Sequence, residues 1–199
     1  MSAADDIVGL YARRAADWDR DRGRDLVERP WLDRFLEYVP EGGRILDLGC
    51  GMGEPIAAYL IAQGRRITGL DSSAGAIEIA HERFADEEWL VADMRGLALE
   101  RRYDGVLAWH SFFHLDHTAQ RVMFGVFAAH AQPGAPLLFT SGPAHGEAIG
   151  EWHGEPLYHA SLDPAEYRGL LETNGFAVVD FVPEDPTCGG STIWLARRQ

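Results

Sequence analysis

This sequence has few cysteines and no long apolar run. Its 199 residues include two cysteines, Cys50 and Cys188, too few for the disulfide framework of a small secreted domain. No apolar run approaches the ~20 residues of a membrane-spanning helix. The charged opening residues also lack the apolar segment of a secretory signal. We therefore expect a cytoplasmic protein without a membrane partner.

Basic residues are also scarce: Lys and Arg number 18 against 31 Asp and Glu, which gives a net charge of −13. Nucleic-acid binding requires a clustered basic surface, so this excess of acid argues against a nucleic-acid partner. Five arginines near the start of the chain alternate with aspartates: Arg13, Arg14, Arg20, Arg22 and Arg24. A solvated helix face is the simpler interpretation, and an arginine or two reaching an anionic substrate is the alternative.

Strand-like and helix-like segments alternate along most of the chain. Residues 5–39 indicate two amphipathic helices, and further helices are predicted at 54–63, 74–84, 117–131 and after Asp163. Strands are predicted at 44–49, 66–71, 88–93, 103–111, 136–141, 176–184 and 191–198. This alternation is typical of a doubly wound α/β fold with helices on both faces of a mostly parallel sheet.

The end of the chain differs, because a short turn-like connection joins its last two strands. Such a connection allows only antiparallel neighbours. We therefore expect one domain over residues 1–199 whose last strand is antiparallel to the rest.

Three glycines occupy alternate positions where the first strand meets a helix, in DLGCGMGEP at 47–55. Glycine permits a tight turn and lets a ligand approach the backbone. In doubly wound folds, ligands bind at the carboxyl ends of the strands. The second strand ends at Asp71, which can accept both hydroxyls of a ribose, and the third ends at Asp93, which can receive an adenine amino group.

Three nucleotide ligands compete for this turn. A dinucleotide fingerprint requires GxGxxG, but the third glycine comes one position early here and Glu54 occupies the last glycine position. A phosphate-binding loop requires Gly-Lys-Ser/Thr, which is absent. S-adenosylmethionine has adenosine without phosphate and carries positive charge, which suits Asp47 and its acidic surroundings.

On these motifs the chain resembles the class I S-adenosylmethionine-dependent methyltransferases from about residue 11 to residue 198. The resemblance implies a seven-stranded sheet, an N-terminal helical cap over residues 1–40, and S-adenosylhomocysteine as product. It also implies these cofactor-binding residues: Tyr11, Trp18, Asp47, Gly49, Cys50, Gly51, Gly53, Asp71, Ser72, Asp93, Met94 and Trp109.

The segment after the fourth strand restricts the acceptor. Family members that methylate bases carry Asn/Asp-Pro-Pro-Tyr/Phe there, whereas this chain has AWHSFFHL at 108–115. Metal-dependent members need a carboxylate where His110 stands, so we expect no metal. We therefore predict methyl transfer to an oxygen or nitrogen of a small metabolite. The alternatives are a protein or peptide methyltransferase and a non-catalytic cofactor-binding protein.

Histidines and aromatic residues cluster after strands four and five. His110 and His114 follow strand four and are the candidate catalytic residues, as bases or as groups that orient the acceptor. The segment 142–162 has no clear helix and is predicted to be a lid loop over the acceptor. The candidate pocket walls are Trp109, Phe112, Phe113, Trp152 and Tyr158, and His153 is a further candidate substrate residue.

Overall fold

The computed structural model describes residues 3–199, apart from the side chains at positions 3–6, 8, 12 and 16. The α-helices are α1 (Ala3–Asp21), α2 (Arg29–Leu36), α3 (Ile56–Ala62), α4 (Ala74–Arg83), α5 (His117–His130) and α6 (Pro164–Thr173). The strands are β1 (Arg44–Leu48), β2 (Arg66–Asp71), β3 (Glu88–Val91), β4 (Gly105–Ala108), β5 (Pro136–Ser141), β6 (Gly146–Trp152), β7 (Glu155–Ser161), β8 (Phe176–Asp185) and β9 (Ser191–Arg198).

Seven strands form one sheet in the order β3-β2-β1-β4-β5-β9-β8. Strands β1 to β5 are mutually parallel, and β9 is antiparallel to both of its neighbours. The predicted fold and its antiparallel last strand are confirmed, with β9 lying inside the sheet and β8 at the edge. The strand order reverses between β1 and β4, which is the switch point where doubly wound folds bind ligands.

Side-chain caps begin α5 and α6. Asp116 accepts a hydrogen bond from the Ala119 amide at 2.7 Å, and Asp163 accepts one from the Ala165 amide at 2.8 Å. Each cap satisfies a backbone donor that the first turn leaves unpaired. Both helix starts predicted from the sequence are confirmed.

Hydrophobic clusters cover both faces of the sheet. Neighbouring residues of a strand face opposite clusters, so that Leu137 and Phe139 belong to one and Leu138 to the other. Phe112 is fully buried in the first cluster, within 6 Å of the rings of Phe124 and Phe139. The prediction that Phe112 forms a pocket wall is therefore wrong, because its ring belongs to the core.

The segment 142–162 is a β-hairpin, where the sequence predicted a loop. Strands β6 and β7 pair antiparallel, and the turn residues His153 and Gly154 both have positive φ values, 52° and 79°. The outer strand β6 is largely exposed, so it lacks the clear apolar alternation by which strands are recognised. Strand β7 packs on α1, where Tyr158 contacts a small cluster that includes Ile7 and Leu10.

Candidate functional site

A cavity opens at the carboxyl ends of the central strands, between the glycine turn and α1. Eleven of the twelve predicted cofactor-binding residues line it: Tyr11, Trp18, Asp47, Gly49, Cys50, Gly51, Asp71, Ser72, Asp93, Met94 and Trp109. His110 and His114 line it as well. The parallel strands bring together the residues that follow them, because the carboxyl ends of the strands lie at one edge of the sheet. Tyr11 and Trp18 come from α1.

The three glycines of the turn have different roles. Gly49 has φ 79°, and a Cβ there would collide with Ser111 after strand β4. Gly51, with φ 54°, faces open space, since a Cβ would meet nothing nearer than the Trp18 indole nitrogen at 3.8 Å. At Gly53 a Cβ would press on Phe84 and Trp89 at 3.0–3.1 Å. Gly53 is therefore a packing residue outside the cavity, and its predicted cofactor contact is not supported.

Two carboxylates lie behind the turn, the buried Asp47 and the partly buried Asp71. Asp47 is 4% exposed, and burial, followed by the charge of Asp71, raises its pKa to about 7. Asp71 accepts hydrogen bonds from the amides of Gly51 at 3.0 Å and Ser73 at 2.9 Å, and burial raises its pKa as well. Neither carboxylate forms an ion pair within the described residues. Buried acids without cationic partners favour a ligand that brings positive charge and hydrogen-bond donors.

Asp93 differs because it has a cationic partner. Arg95 holds its carboxylate through Nη2 at 2.5 Å and Nε at 2.9 Å. The Arg95 side chain is the main cause that lowers the pKa of Asp93. This acid is therefore ionised and fixed in orientation, as a hydrogen-bond acceptor for a ligand amino group requires.

Aromatic rings join α1 to the hairpin above the cavity. Trp152 stacks on Tyr11 with ring centroids 6.1 Å apart and meets the edge of Trp18 at 5.6 Å. At the hairpin turn, His153 Nε2 lies 2.5 Å from Asp21 Oδ2. Trp152 and His153 thus hold α1 against the hairpin, and neither is among the residues that line the cavity.

His114 uses both ring nitrogens in protein contacts. Its Nδ1 lies 2.8 Å from the Tyr158 carbonyl, so Nδ1 must carry the proton and donate. Its Nε2 then accepts from the Tyr11 hydroxyl at 3.0 Å. Burial lowers the pKa of His114 to about 4, which keeps this neutral tautomer. The arrangement leaves no nitrogen to take an acceptor proton and makes His114 a positioning residue for Tyr11.

His110 is held in an unusual backbone conformation. Its φ is 50°, a conformation that costs a non-glycine residue about 1–3 kcal/mol. Such a conformation persists only where the surrounding structure enforces it. Thr140 Oγ1 accepts from the His110 amide at 2.9 Å, and Ser191 Oγ lies 2.9 Å from Nε2. Two neighbouring strands therefore fix the backbone and the ring, and Nδ1 has no partner among the described residues.

The imidazole of His110 stays neutral near pH 7. It is exposed within the open cleft, yet protein surrounds it on most sides, and this burial lowers its pKa to about 4. The positive charge of Arg22 contributes in the same direction. His110 can therefore accept a proton at neutral pH, although only weakly.

The remaining predicted wall residues lie behind the cavity. Phe113 contacts the rings of His110 at 5.7 Å and His159 at 5.1 Å. Tyr158 is 4% exposed beneath the hairpin. Neither residue lines the cavity, so neither is in direct reach of an acceptor placed there.

Sequence reasoning missed several residues around the cavity. Ser191 contacts His110 from a strand 81 positions away, and no local pattern marks that distance. Ser111 closes the glycine turn by donating to the Leu48 carbonyl at 2.5 Å. Arg22, which also lines the cavity, was not missed, because the sequence named it within the arginine group of which one or two members could reach an anionic substrate.

The described part of the chain holds no group of three or more His, Cys, Asp or Glu side chains that could bind a metal ion. Within those residues no helix is long and apolar enough to span a bilayer.

Comparison with known proteins gives methyltransferases as relatives. An O-methyltransferase of Aspergillus nomiae, rstn1, is 27% identical over 192 residues, which span 86% of this chain and 83% of the relative. An O-methyltransferase of Pyrenophora dematioidea is 28% identical over 169 residues, 78% of this chain and 62% of the relative. This chain therefore spans most of the first relative and under two thirds of the second.

Solved structures share the fold. The 1,6-didemethyltoxoflavin-N1-methyltransferase of Burkholderia thailandensis, with 1,6-didemethyltoxoflavin and S-adenosylhomocysteine bound, aligns with a TM-score of 0.75 at 21% identity, over 98% of this chain and 88% of that one. Magnesium protoporphyrin IX methyltransferase of Synechocystis, with S-adenosylhomocysteine bound, aligns over the whole of both chains with a TM-score of 0.75 at 17% identity.

The family model described as a methyltransferase domain matches residues 18–180. That range includes the glycine turn, the aspartates at the strand ends and most of the sheet. The chain therefore belongs to the methyltransferase domain family, within the S-adenosylmethionine-dependent class I fold that its sequence resembles.

Proposed function

We propose that this methyltransferase binds S-adenosylmethionine in the cavity and methylates an oxygen of a small molecule, with S-adenosylhomocysteine as product. The observation that carries the proposal is a pair of carboxylates in the cavity, the buried Asp47 and the partly buried Asp71, which have no cationic partner in the described structure. When bound, the cofactor supplies a methyl group on a positively charged sulfur, and sulfur keeps the electron pair of the broken bond.

The residues around the glycine turn fit this ligand. Gly51 faces open space, which leaves room for a ligand against bare backbone. Following the family resemblance, Asp71 would bind the ribose hydroxyls, Asp93 the adenine side and the turn at 49–51 the methionine part. Asp47 would offset the positive charge of the methionine part.

His110 is the residue that we propose to receive the acceptor proton. A hydroxyl loses its proton as the oxygen lone pair bonds to the methyl carbon, and a positioned base can take it. Nδ1 of His110 has no partner among the described residues and can take this proton in the neutral tautomer whose Nε2–H donates to Ser191 Oγ. Because the His110 pKa is low, this base suits an acceptor whose own proton is acidic.

Both fungal relatives named above are O-methyltransferases, which supports oxygen as the acceptor atom. A small acceptor is favoured by the cover that α1 and the hairpin form over the strand ends. A protein or peptide substrate would need an open groove. A non-catalytic cofactor-binding protein would bind the cofactor without transferring label.

The test uses isotope-labelled S-adenosylmethionine and a cell extract separated into small-metabolite, protein and RNA fractions. We expect label in the small-metabolite fraction, in a product that loses it on cleavage of a methyl ether or ester. Label confined to protein or RNA would contradict the small acceptor. Tight cofactor binding without label in any fraction would favour the non-catalytic alternative.

A further inference from the structure

We propose that the acceptor carries, in addition to the hydroxyl that is methylated, a delocalised oxyanion, a carboxylate or an ionised enol, and that Arg22 recognises this second group. This inference rests on the proposed function and specifies the class of its substrate. It follows from how charge is distributed around the cavity.

Most acids that line the cavity already have partners. Glu54 pairs with Arg24 at 3.1 Å and Arg83 at 3.3 Å. Asp93 pairs with Arg95, and Asp116 caps α5. Asp47 and Asp71 therefore remain as the acids available to a positively charged ligand, and the cofactor satisfies them.

Arg22 is placed differently from the other arginines near the start of the chain. Arg13 and Arg14 bind Glu155 on the hairpin, Arg20 binds Asp17, and Arg24 binds Asp19 and Glu54. Within the five-arginine group, Arg22 alone lines the cavity. The simpler interpretation as a solvated helix face fits Arg13, Arg14 and Arg20 on α1. Arg22 and Arg24 lie beyond the end of α1, and Arg22 lines the cavity.

A buried partner fixes the Arg22 guanidinium from behind. Its Nη2 donates to Glu28 Oε1 at 2.6 Å, and its Nη1 donates to the Gly23 carbonyl at 3.3 Å. Glu28 is fully buried and does not line the cavity. A guanidinium has five N–H donors, so three remain without an acceptor among the described residues. Arginine presents such donors in a planar fork that matches a carboxylate.

The surface beside Arg22 suits a flat anion. Trp109 lines the cavity at 5% exposure, and its buried indole Nε1–H has no acceptor in the described structure. Its ring lies 5.2 Å from the ring of His110, whose pKa is lowered partly by the charge of Arg22. An oxyanion would give the remaining N–H donors of Arg22 an acceptor, and a neutral His110 would leave Arg22 as the positive charge that it meets.

The experiment begins with a small-metabolite extract that is divided on an anion exchanger before the enzyme is added. Wild-type protein and labelled S-adenosylmethionine are then incubated with the retained and the unretained fractions. We expect label from the retained fraction. In Arg22→Lys, which keeps the charge and loses the fork, labelling at limiting acceptor should fall at least tenfold and recover as the fraction is concentrated. That recovery identifies weaker acceptor binding rather than slower chemistry.

Two further variants serve as controls. Arg20→Gln changes a 64% exposed arginine of the same group and should label as wild type does. Arg22→Gln combined with Glu28→Gln removes the ion pair without leaving a buried charge, and it should lose the labelling as well. The Tm of each ligand-free variant establishes that it is folded. Calorimetry with S-adenosylhomocysteine should give the wild-type affinity for every variant, and a loss of affinity in the Arg22 variants would assign Arg22 to the carboxylate of the cofactor and overturn this inference.

The outcomes separate this inference from the proposed function. Label arising from the unretained fraction, or Arg22→Lys labelling as wild type does, would overturn the oxyanion and its recognition by Arg22. No label from either fraction, with cofactor-product binding intact, would overturn the proposed methyl transfer and this inference with it.

Discussion

At the residue scale, Asp47 links ligand binding to pH. Its pKa of about 7 lies above the ordinary value of 3.8. Between these values the folded protein holds a proton that the unfolded chain has released. The free energy of unfolding of the ligand-free protein therefore falls as the pH rises from about 4 to about 7. The buried carboxylate costs stability at neutral pH because a cationic ligand is missing.

Asp47→Asn should remove this dependence. We expect the variant to gain roughly 1–2 kcal/mol of unfolding free energy over wild type at pH 8, and little at pH 4, because its side chain does not ionise. Urea unfolding of both ligand-free proteins at the two pH values measures the difference. A gain that is equal at both pH values would contradict the raised pKa.

His110→Ala should lower kcat by about a hundredfold and leave the affinity for S-adenosylhomocysteine unchanged, because a positioned base is worth about 10²–10⁴. Since the pKa of His110 is about 4, wild-type kcat at saturating cofactor should be flat from pH 6 to 8. Below pH 5 it should decline as the ring is protonated. Single-turnover rates with an identified acceptor provide the check. A His110→Ala rate equal to wild type would exclude His110 as the proton acceptor.

At the element scale, α1 and the β6–β7 hairpin form one cover. Ion pairs from Arg13 and Arg14 to Glu155 join them at 2.7 Å and 2.9 Å, and Asp21 meets His153 at the turn. These charges are partly exposed, so each contributes little. The stacked aromatic rings between the two elements contribute more, at about 0.5–1.5 kcal/mol per pair.

Trp152→Ala should therefore loosen the cover. We expect amide hydrogen exchange in α1 to speed up about three- to tenfold and S-adenosylhomocysteine to dissociate faster, since Tyr11 and Trp18 lose their contact with the hairpin. Ile149→Ala is the matched control, because Ile149 on β6 is 65% exposed, and it should change neither rate. Equal exchange in the two variants would show that the aromatic contact does not hold α1.

At the scale of the whole molecule, the cavity lies at the switch point of a sheet that is packed on both faces. A ligand bound there stabilises the folded state as a whole by mass action. At a hundred times its dissociation constant, a single ligand adds about 2.7 kcal/mol. For a chain of this length, that corresponds to a rise in Tm of roughly 5–10 °C.

S-adenosylhomocysteine should produce this shift in wild type, and Asp71→Ala should reduce it to below roughly 3 °C at the same concentration, because the carboxylate at the end of β2 is lost. Differential scanning fluorimetry measures both. Asp86→Ala, an exposed acid at the opposite ends of the strands, should keep the full shift. An undiminished shift in Asp71→Ala would remove Asp71 from the binding site.

Sequence alone was sufficient for the sheet, the antiparallel last strand, the caps of α5 and α6 and many of the residues that line the cavity. These features depend on local signals: apolar periodicity, capping residues, and glycines or acids at strand ends, where topology brings neighbours together. It also identified the arginine group, although four members bind on the surface and one lines the cavity.

Only the tertiary structure decided what depends on contacts distant along the chain. The segment predicted as a lid loop is a hairpin, because the exposed strand β6 is stabilised by its pairing with β7 and has no apolar alternation that would mark it as a strand. The tertiary structure assigned Phe112 to the core and Gly53 to packing. It also paired His114 with Tyr11 and a carbonyl of β7, and brought Ser191 to His110. Hydrogen-bond partners and burial are properties of the folded arrangement, so no local pattern in the sequence encodes them.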